Sequence, residues 1–421
     1  MAIEFTRLLN IGLRSATLGV RFLFVFFLAK YLDAASVGYY GIFTATTGYA
    51  LYFVGLDFYT YTTREILKTP TKQRGRLLKG QAALSGFLYI TLLPATIFFL
   101  SHSDWPDHLV WWFTPILLLE HLNQEISRLL IALSEQLTAS FILFIRQGSW
   151  AVVITALMRW NHDSRNLDTV MAIWACAGIA AVALGIWRLK QLKIGGWHQP
   201  IDWVWIKRGI VVSSGFLVAT LALRGIQTID RYWLKYLGGI EMVGAYVLLL
   251  GVASTLLVFL DAGIFAYAYP TLIKHHHNGQ HREARTQVKH MFFQTTCFLA
   301  VFGFISWILL PYLLRWIGNP LYLQALPLYP WLLAAISINA IGMVPHYALY
   351  ARGMDKPIIY SHIGALVAFI LSTWLLSPKY PAMAIPIGLN IAFSVILILK
   401  TIVYFISIRS KIPAKFDPQA A

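Results

Sequence analysis

RSATLGVRFLFVFFLAKYL, from Arg14 to Leu32, is an apolar run holding two arginines seven residues apart. On a helix that spacing puts Arg14 and Arg21 on one face, within about 20° of each other. The run is long enough to cross a bilayer, and an arginine inside it is costly unless it faces protein or water. The turn DAASVGYYG follows, Asp33 to Gly41, and then a second long apolar run. The same order returns later in the chain. Lys30-Tyr31-Leu32 followed by Val37-Gly38-Tyr39-Tyr40 is echoed by Lys235-Tyr236-Leu237 followed by Val243-Gly244-Ala245-Tyr246, one residue longer. Upstream of that echo stand Arg224 and Arg231, again seven apart. Downstream, Gly55-Leu56-Asp57-Phe58 is loosely matched by Phe259-Leu260-Asp261-Ala262. Two halves, each opening on an arginine-bearing helix, imply an internally duplicated membrane chain with a polar interior, the organisation of a transporter.

Composition agrees. Of 421 residues 58% are hydrophobic and only 12% charged, with a mean hydropathy of +0.63. Soluble domains carry about 25% charged residues. The net charge of +16 would suit nucleic acid, but the basic residues sit in short loops between apolar runs, which excludes that partner. Cys176 and Cys297 each lie inside an apolar segment and are small core residues rather than a disulfide framework. The first run leads into a full span with no small-residue cleavage site, so no removable leader is expected.

Twelve apolar spans are expected, at about 8–32, 37–62, 80–100, 109–133, 137–158, 168–187, 209–234, 242–269, 290–314, 323–350, 358–377 and 382–407. The second, eighth and tenth exceed the roughly 20 residues a bilayer requires, which calls for tilt. Prolines such as Pro94, Pro115, Pro311, Pro345 and Pro386 mark bends. With the N-terminus inside, the inner loops hold 22 lysines and arginines and the outer loops 6. Both termini are therefore expected in the cytoplasm.

The domain plan that follows is an N-terminal six-helix bundle (1–190), an interfacial linker (191–208), a C-terminal six-helix bundle (209–408) and a cytoplasmic tail (409–421). The link RLKQLKIGGWHQPIDWVWIKR, 188–208, combines basic residues with three tryptophans, which suits a helix lying at headgroup level or an ordinary interfacial loop. Residues 14–64 and 224–267 are expected to form equivalent helix pairs related by a parallel repeat. The run His275-His276-His277, with His281 and His290 near it, has only Glu283 as a carboxylate and no cysteine, so it reads as a loop rather than a metal centre.

The chain has no Gly-rich phosphate loop, no zinc-type His-Glu-x-x-His pair and no nucleophile elbow, and no enzyme activity, cofactor or metal is expected. LEHLNQEISRLL in the fourth span brings together Glu120, His121, Glu125 and Arg128. Glu125 lies four residues after His121, on the same face. The embedded acids are Asp57, Glu120, Glu125, Asp230 and Asp261. They are candidates for coupling to an ion, or for salt-bridged packing against an arginine. The embedded arginines Arg14, Arg21, Arg146, Arg224 and Arg231 are candidates for substrate. Guanidinium groups in a wet cleft suit pyrophosphate, which they bind with paired donors.

LAKYLDAASVGYYGIFTATTGYALYFVGLDFYTYTTREI, and EHLNQEISRLLIALSEQLTASFILFIRQGSW from Glu120 to Trp150, resemble the opening and the fourth and fifth spans of the polysaccharide-biosynthesis flippases, the Wzx-type O-antigen and capsule exporters. That resemblance implies an all-α polytopic fold of the multidrug/oligosaccharidyl-lipid/polysaccharide exporter (MOP) superfamily, similar to the MATE transporters, with about twelve transmembrane helices in two six-helix bundles around a central cavity. It implies residence in the bacterial inner membrane and, as substrate, an undecaprenyl-pyrophosphate-linked oligosaccharide moved from the inner to the outer leaflet by alternating access. Basic residues of the lumen would contact the anionic lipid. A polysaccharide polymerase and a chain-length regulator would be partners. The alternatives are a drug or metabolite antiporter on the same fold and, in another class, a multispan glycan polymerase or ligase. The last would need a large outer loop, and every outer loop here is short.

Overall fold

In hydrocarbon no water satisfies a free amide, so a long apolar segment must bond its own backbone as a helix. The computed structural model describes residues 2–409, and among the described residues every regular element is helical. The elements are α1 (Ala2–Tyr31), α2 (Ala34–Gly55), α3 (Tyr59–Lys68), α4 (Arg74–Ser101), α5 (Asp107–Ala132), α6 (Gln136–Phe144), α7 (Trp150–Trp160), α8 (Leu167–Gln191), α9 (Trp203–Leu260), α10 (Ala266–His277), α11 (His281–Ile317), α12 (Pro320–Gln324), α13 (Tyr329–Tyr350), α14 (Asp355–Leu376) and α15 (Pro381–Arg409). The expected tail beyond Arg409 lies outside the described residues.

Among the described residues nine helical stretches are long and apolar enough to cross a membrane. One of them, Leu217–His277, is broken at Gly239, whose φ of +81° suits a residue without Cβ, and so supplies two passes. The helices α2 and α5, of 22 and 26 residues, are also long enough. Twelve passes result, as expected. Their outer faces are apolar: Trp111 is 81% exposed, Ile90 77% and Phe304 69%. Such a surface is stable only against lipid. The protein is a multi-pass membrane protein.

Within the passes the structure departs from uniform helix at several points. The span expected at 37–62 ends its first helix at Gly55. Leu56 and Asp57 then adopt left-handed backbone, with φ of 49° and 50°, and α3 starts afresh at Tyr59. Two π-turns interrupt other passes, Ile145–Ser149 between α6 and α7 and Asp261–Phe265 between α9 and α10. Helix ends use ordinary chemistry. The Asn166 side chain accepts from Thr169 N at 2.8 Å, Asn319 accepts from Leu321 N at 3.0 Å ahead of Pro320, and Gly318 closes α11 in the left-handed region.

The chain divides into two units. The first comprises the N-terminal stretch through Leu32 and Ile42–Leu217. The second comprises Asp33–Gly41 and the described chain from Val218 onward. In the second unit the two echoed turns meet directly. A Cβ on Gly244 would collide with the Ala34 carbonyl and come 3.2 Å from Gly38 N. A Cβ on Gly38 would collide with the Ile240 carbonyl. The two glycines of the repeat are the contact between its copies, a backbone approach that only small residues allow.

Of the two forms expected for the link between α8 and α9, residues 192–202 take the loop and not the helix. They bind instead to the start of α4. Gly75 N donates to the Gly195 carbonyl at 2.7 Å, Arg76 pairs with Asp202 at 2.5 Å, and Lys79 Nζ reaches the carbonyls of Trp197 and Gln199 at 3.4 and 3.3 Å. Trp205 and Ile206 then bury against Phe58, Tyr61 and Leu84. Trp205 is thus used for packing inside the first unit, while Trp197, Trp203, Lys190, Lys193 and Lys207 stay exposed.

Candidate functional site

The predicted arginines sort into two kinds. In the first unit α1 lies along α6 and α7, and Arg14 and Arg21 meet Ser140 and Gln147, two residues also seven apart. Arg14 Nε donates to Ser140 Oγ at 3.1 Å, and Arg21 Nη1 donates to Gln147 Oε1 at 2.9 Å. Ser140 in turn donates to Asn10. In the second unit Arg224 Nη1 donates to Gln227 Oε1 at 3.0 Å. Arg14, Arg21 and Arg224 are all exposed.

Arg146 and Arg231 face acids. Arg146 is 7% exposed on its π-turn, and its Nε stands 3.0 Å from Glu120 Oε2, an ion pair held by charge rather than by an aligned hydrogen bond. Trp174 Nε1 donates to the other Glu120 oxygen at 2.9 Å, and Trp150 stacks on Trp174 at 5.5 Å. Arg231 pairs with Asp230 at 3.0 Å and donates to the Gln227 carbonyl, while the Tyr246 hydroxyl donates to Asp230 Oδ2 at 2.5 Å. These two arginines and two acids close on each other inside their units.

The remaining acids separate. Asp57 is buried at the break after α2. Asp261 is exposed on its π-turn and accepts from the Tyr347 hydroxyl at 3.1 Å. Glu125 lies in an open cleft of about 310 Å³ between α3, α4 and α5. There it accepts from Gln81, and from Arg128 Nη1 at 2.7 Å. The Arg128 guanidinium sits 3.4 Å over the Tyr59 ring, a cation–π contact. Across the cleft the rings of Tyr89 and His121 approach to 5.7 Å. The Tyr89 hydroxyl and His121 Nε2 are buried, and neither has a hydrogen-bond partner. A buried polar group without a partner costs about 1–3 kcal/mol, so the cleft carries unused capacity for a donor and an acceptor.

The fourth-span cluster thus opens out by helix geometry. Glu120 and His121, adjacent in sequence, point apart, Glu120 to Arg146 and His121 with Glu125 into the cleft. The α4 wall was overlooked in the sequence. Gln81, Ser85 and Tyr89 recur every fourth residue, a polar stripe on one face of an apolar helix, and all three line the cleft. Outside the spans, Arg188 clamps Glu135 with Nε to Oε2 at 3.0 Å and Nη2 to Oε1 at 2.7 Å. Those hydrogen bonds hold the Glu135 carboxyl below its ordinary value.

No family model matches the chain, and no curated protein does. Solved structures match along nearly its whole length. The Vibrio cholerae MATE transporter VcmN, in a mutant form, is 15% identical with a TM-score of 0.61, over 96% of this chain and 98% of that one. The fold is that of the MATE transporters. A multidrug resistance MATE family transporter of the MOP superfamily, in an outward-facing conformation, gives 12% and 0.56 over 96% and 92%. A MATE in complex with MaL6 gives 13% and 0.54 over the same shares. The MATE-like fold was the one expected from the spans and their resemblance, and at these identities the likeness concerns fold.

Proposed function

We propose that this chain is a transporter of the MOP type that flips an anionic amphiphile, undecaprenyl-pyrophosphate-linked oligosaccharide, from the inner to the outer leaflet of a bacterial inner membrane. The observation that carries the reading is the exposure of Arg21 and Arg224 at mid-span depth, each donating to a glutamine amide. A guanidinium at that depth does not face hydrocarbon, so each unit offers a fixed cation to water and to a polar head group. Planar paired donors match a pyrophosphate. Arg14 extends the same face of α1. Glu125, in its cleft, is the acid placed to exchange with an ion, and both termini are assigned to the cytoplasm by the loop charges.

The multidrug resistance transporter among the matching structures favours a second reading, export of a drug or metabolite. Purified protein in liposomes carrying a fluorescent lipid-linked oligosaccharide separates the two. Movement of the intact lipid between leaflets, absent from protein-free vesicles, is expected. No movement of that lipid, with uptake of an organic cation against a gradient, would replace the flippase by the antiporter. A chemically altered lipid would replace both by an enzyme.

A further inference from the structure

Read as sequence, Lys400 is one lysine in the apolar run 382–407. In the structure it is 1% exposed, and among the described residues no carboxylate bonds to it. Its partners are two imidazoles. Nζ stands 3.1 Å from His346 Nδ1 on α13 and 3.1 Å from His362 Nε2 on α14. The helix α15 packs along both of those helices, so three passes meet at this cluster. The two rings are parallel within 2°, with centroids 6.3 Å apart.

The positions of the hydrogens follow from one further contact. His362 Nδ1 lies 3.2 Å from the Ala219 carbonyl on α9. A carbonyl only accepts, so Nδ1 carries the hydrogen, and the Nε2 that faces Lys400 is the acceptor. Lys400 is then the donor to His362, and to His346 if that ring carries its hydrogen on Nε2. An amine has two N–H groups and an ammonium three, so both forms bond the two rings. The cluster therefore accommodates two states that differ by one proton with the heavy atoms in place. A second excess proton would set two positive charges in contact without a counter-ion, which low dielectric makes strongly unfavourable.

Among the described residues the trio's hydrogen bonds reach no carboxylate and no further cation. The titratable groups facing the trio are Tyr347 and Tyr350 from α13 and Tyr404, one turn beyond Lys400, on α15. From α10 the Tyr269 ring touches Tyr347 and Tyr350. Asp261 reaches the Tyr347 hydroxyl but not the trio, and Arg352 bonds Ser407. The charged groups acting on the two imidazoles are Lys400 and, for His346, His362. His346 is the half-buried member, and the ring of exposed Tyr350 lies parallel to it at 6.4 Å.

The geometry points to a one-proton binding site formed by Lys400, His346 and His362, with His346 as its port toward Tyr350. Loading the site places an ammonium whose charge strengthens both hydrogen bonds, and emptying it leaves an amine that keeps them in weaker form. The further step, that this proton drives transport, rests on the transporter reading; the site itself does not.

Histidine-15N-labelled protein in lipid nanodiscs tests the site, with His346→Gln and His362→Gln assigning the signals. At about pH 6, near the ordinary histidine value, both wild-type rings should be neutral, His362 protonated on Nδ1 and His346 on Nε2. In Lys400→Met one of the two rings should become imidazolium. A wild-type His362 carrying its hydrogen on Nε2 overturns the proposal, as do two neutral rings in Lys400→Met. If that variant does not fold, Lys400→Gln replaces it, and the wild-type tautomers decide on their own. A second arm measures flux of the fluorescent lipid-linked oligosaccharide in liposomes, with and without a pH gradient. Loss of the gradient response in Lys400→Met, with gradient-free flux retained, supports coupling. An unchanged response overturns coupling while the spectra still decide the site. No wild-type flux at all overturns the transporter reading alone.

Discussion

Arg146 and Lys400 are both cations buried in a membrane-spanning helix, and the protein treats them in opposite ways. Arg146 has a carboxylate, Glu120, which is itself fixed by Trp174. Lys400 has only bases around it. An arginine does not release its proton in a protein, so its pair with Glu120 is permanent and belongs to packing. A lysine does release its proton when buried, so its neighbours decide whether the charge stays. The first arrangement fixes a structure, and the second leaves a proton free to leave. Arg146 and Arg231 likewise face acids and are buried or half-buried, whereas Arg14, Arg21 and Arg224 are exposed.

The largest expected effect comes from breaking the closed pair. Glu120→Gln leaves Arg146 buried and uncompensated, at a cost of about 3–5 kcal/mol. The amount of monodisperse protein extracted from membranes should fall severely, and the double variant Glu120→Gln with Arg146→Met should restore it. Wild-type yield from the single variant would erase the distinction drawn above. Next come Arg21→Ala and Arg224→Ala, which should accumulate normally and lose most lipid-linked oligosaccharide flux, with the lysine variants intermediate because they keep charge without paired donors. Reduced yield with proportionate flux would move these two arginines into the packing class with Arg146. Wild-type flux from both would remove them from the site.

Smaller still is Tyr89→Phe. It deletes a buried hydroxyl that has no partner, so thermal stability should hold or rise, by about 1 kcal/mol at most. A clear loss of melting temperature would mean that the hydroxyl is engaged. The smallest effect belongs to Glu135, which is half-buried outside the passes. Its carboxyl is lowered by the Arg188 hydrogen bonds, so the contribution is present above the unfolded carboxylate value of about 4.3 and disappears as pH falls through the folded one. Protection of the Ser134–Gln136 amides, relative to their intrinsic exchange, should fall as pH drops below the unfolded carboxylate value, and Glu135→Gln should remove that pH step.

Much of the fold is legible in the chain because lipid imposes one rule, an apolar run long enough to close its own hydrogen bonds. The runs therefore mark the passes, and the inserted charges mark their interior. What periodicity does not encode is a local break. Nothing in VGLDFYT announces left-handed backbone at Leu56 and Asp57, and the π-turn at Ile145–Ser149 looks like plain helix in sequence. The site was partly visible. Glu125, His121 and Arg128 share a face by arithmetic, whereas the pairing of Glu120 with Arg146 needs the packing of α5 against the fifth pass. The Gln81, Ser85 and Tyr89 stripe was readable but hidden among small polar residues of an apolar helix. Lys400 with His346 and His362 was not readable, since 54 and 38 residues separate the partners. The echoed glycines carried a meaning beyond repetition, because Gly38 and Gly244 are where the copies touch.

The cleft beside Glu125 can also be counted in solvent. Its 310 Å³ is the liquid volume of about ten water molecules. That is a hydration shell for one carboxylate and its arginine, and it is far below the bulk of an oligosaccharide. A cleft of that size is a cistern: room for a small stock of water at Glu125, within an otherwise oily wall.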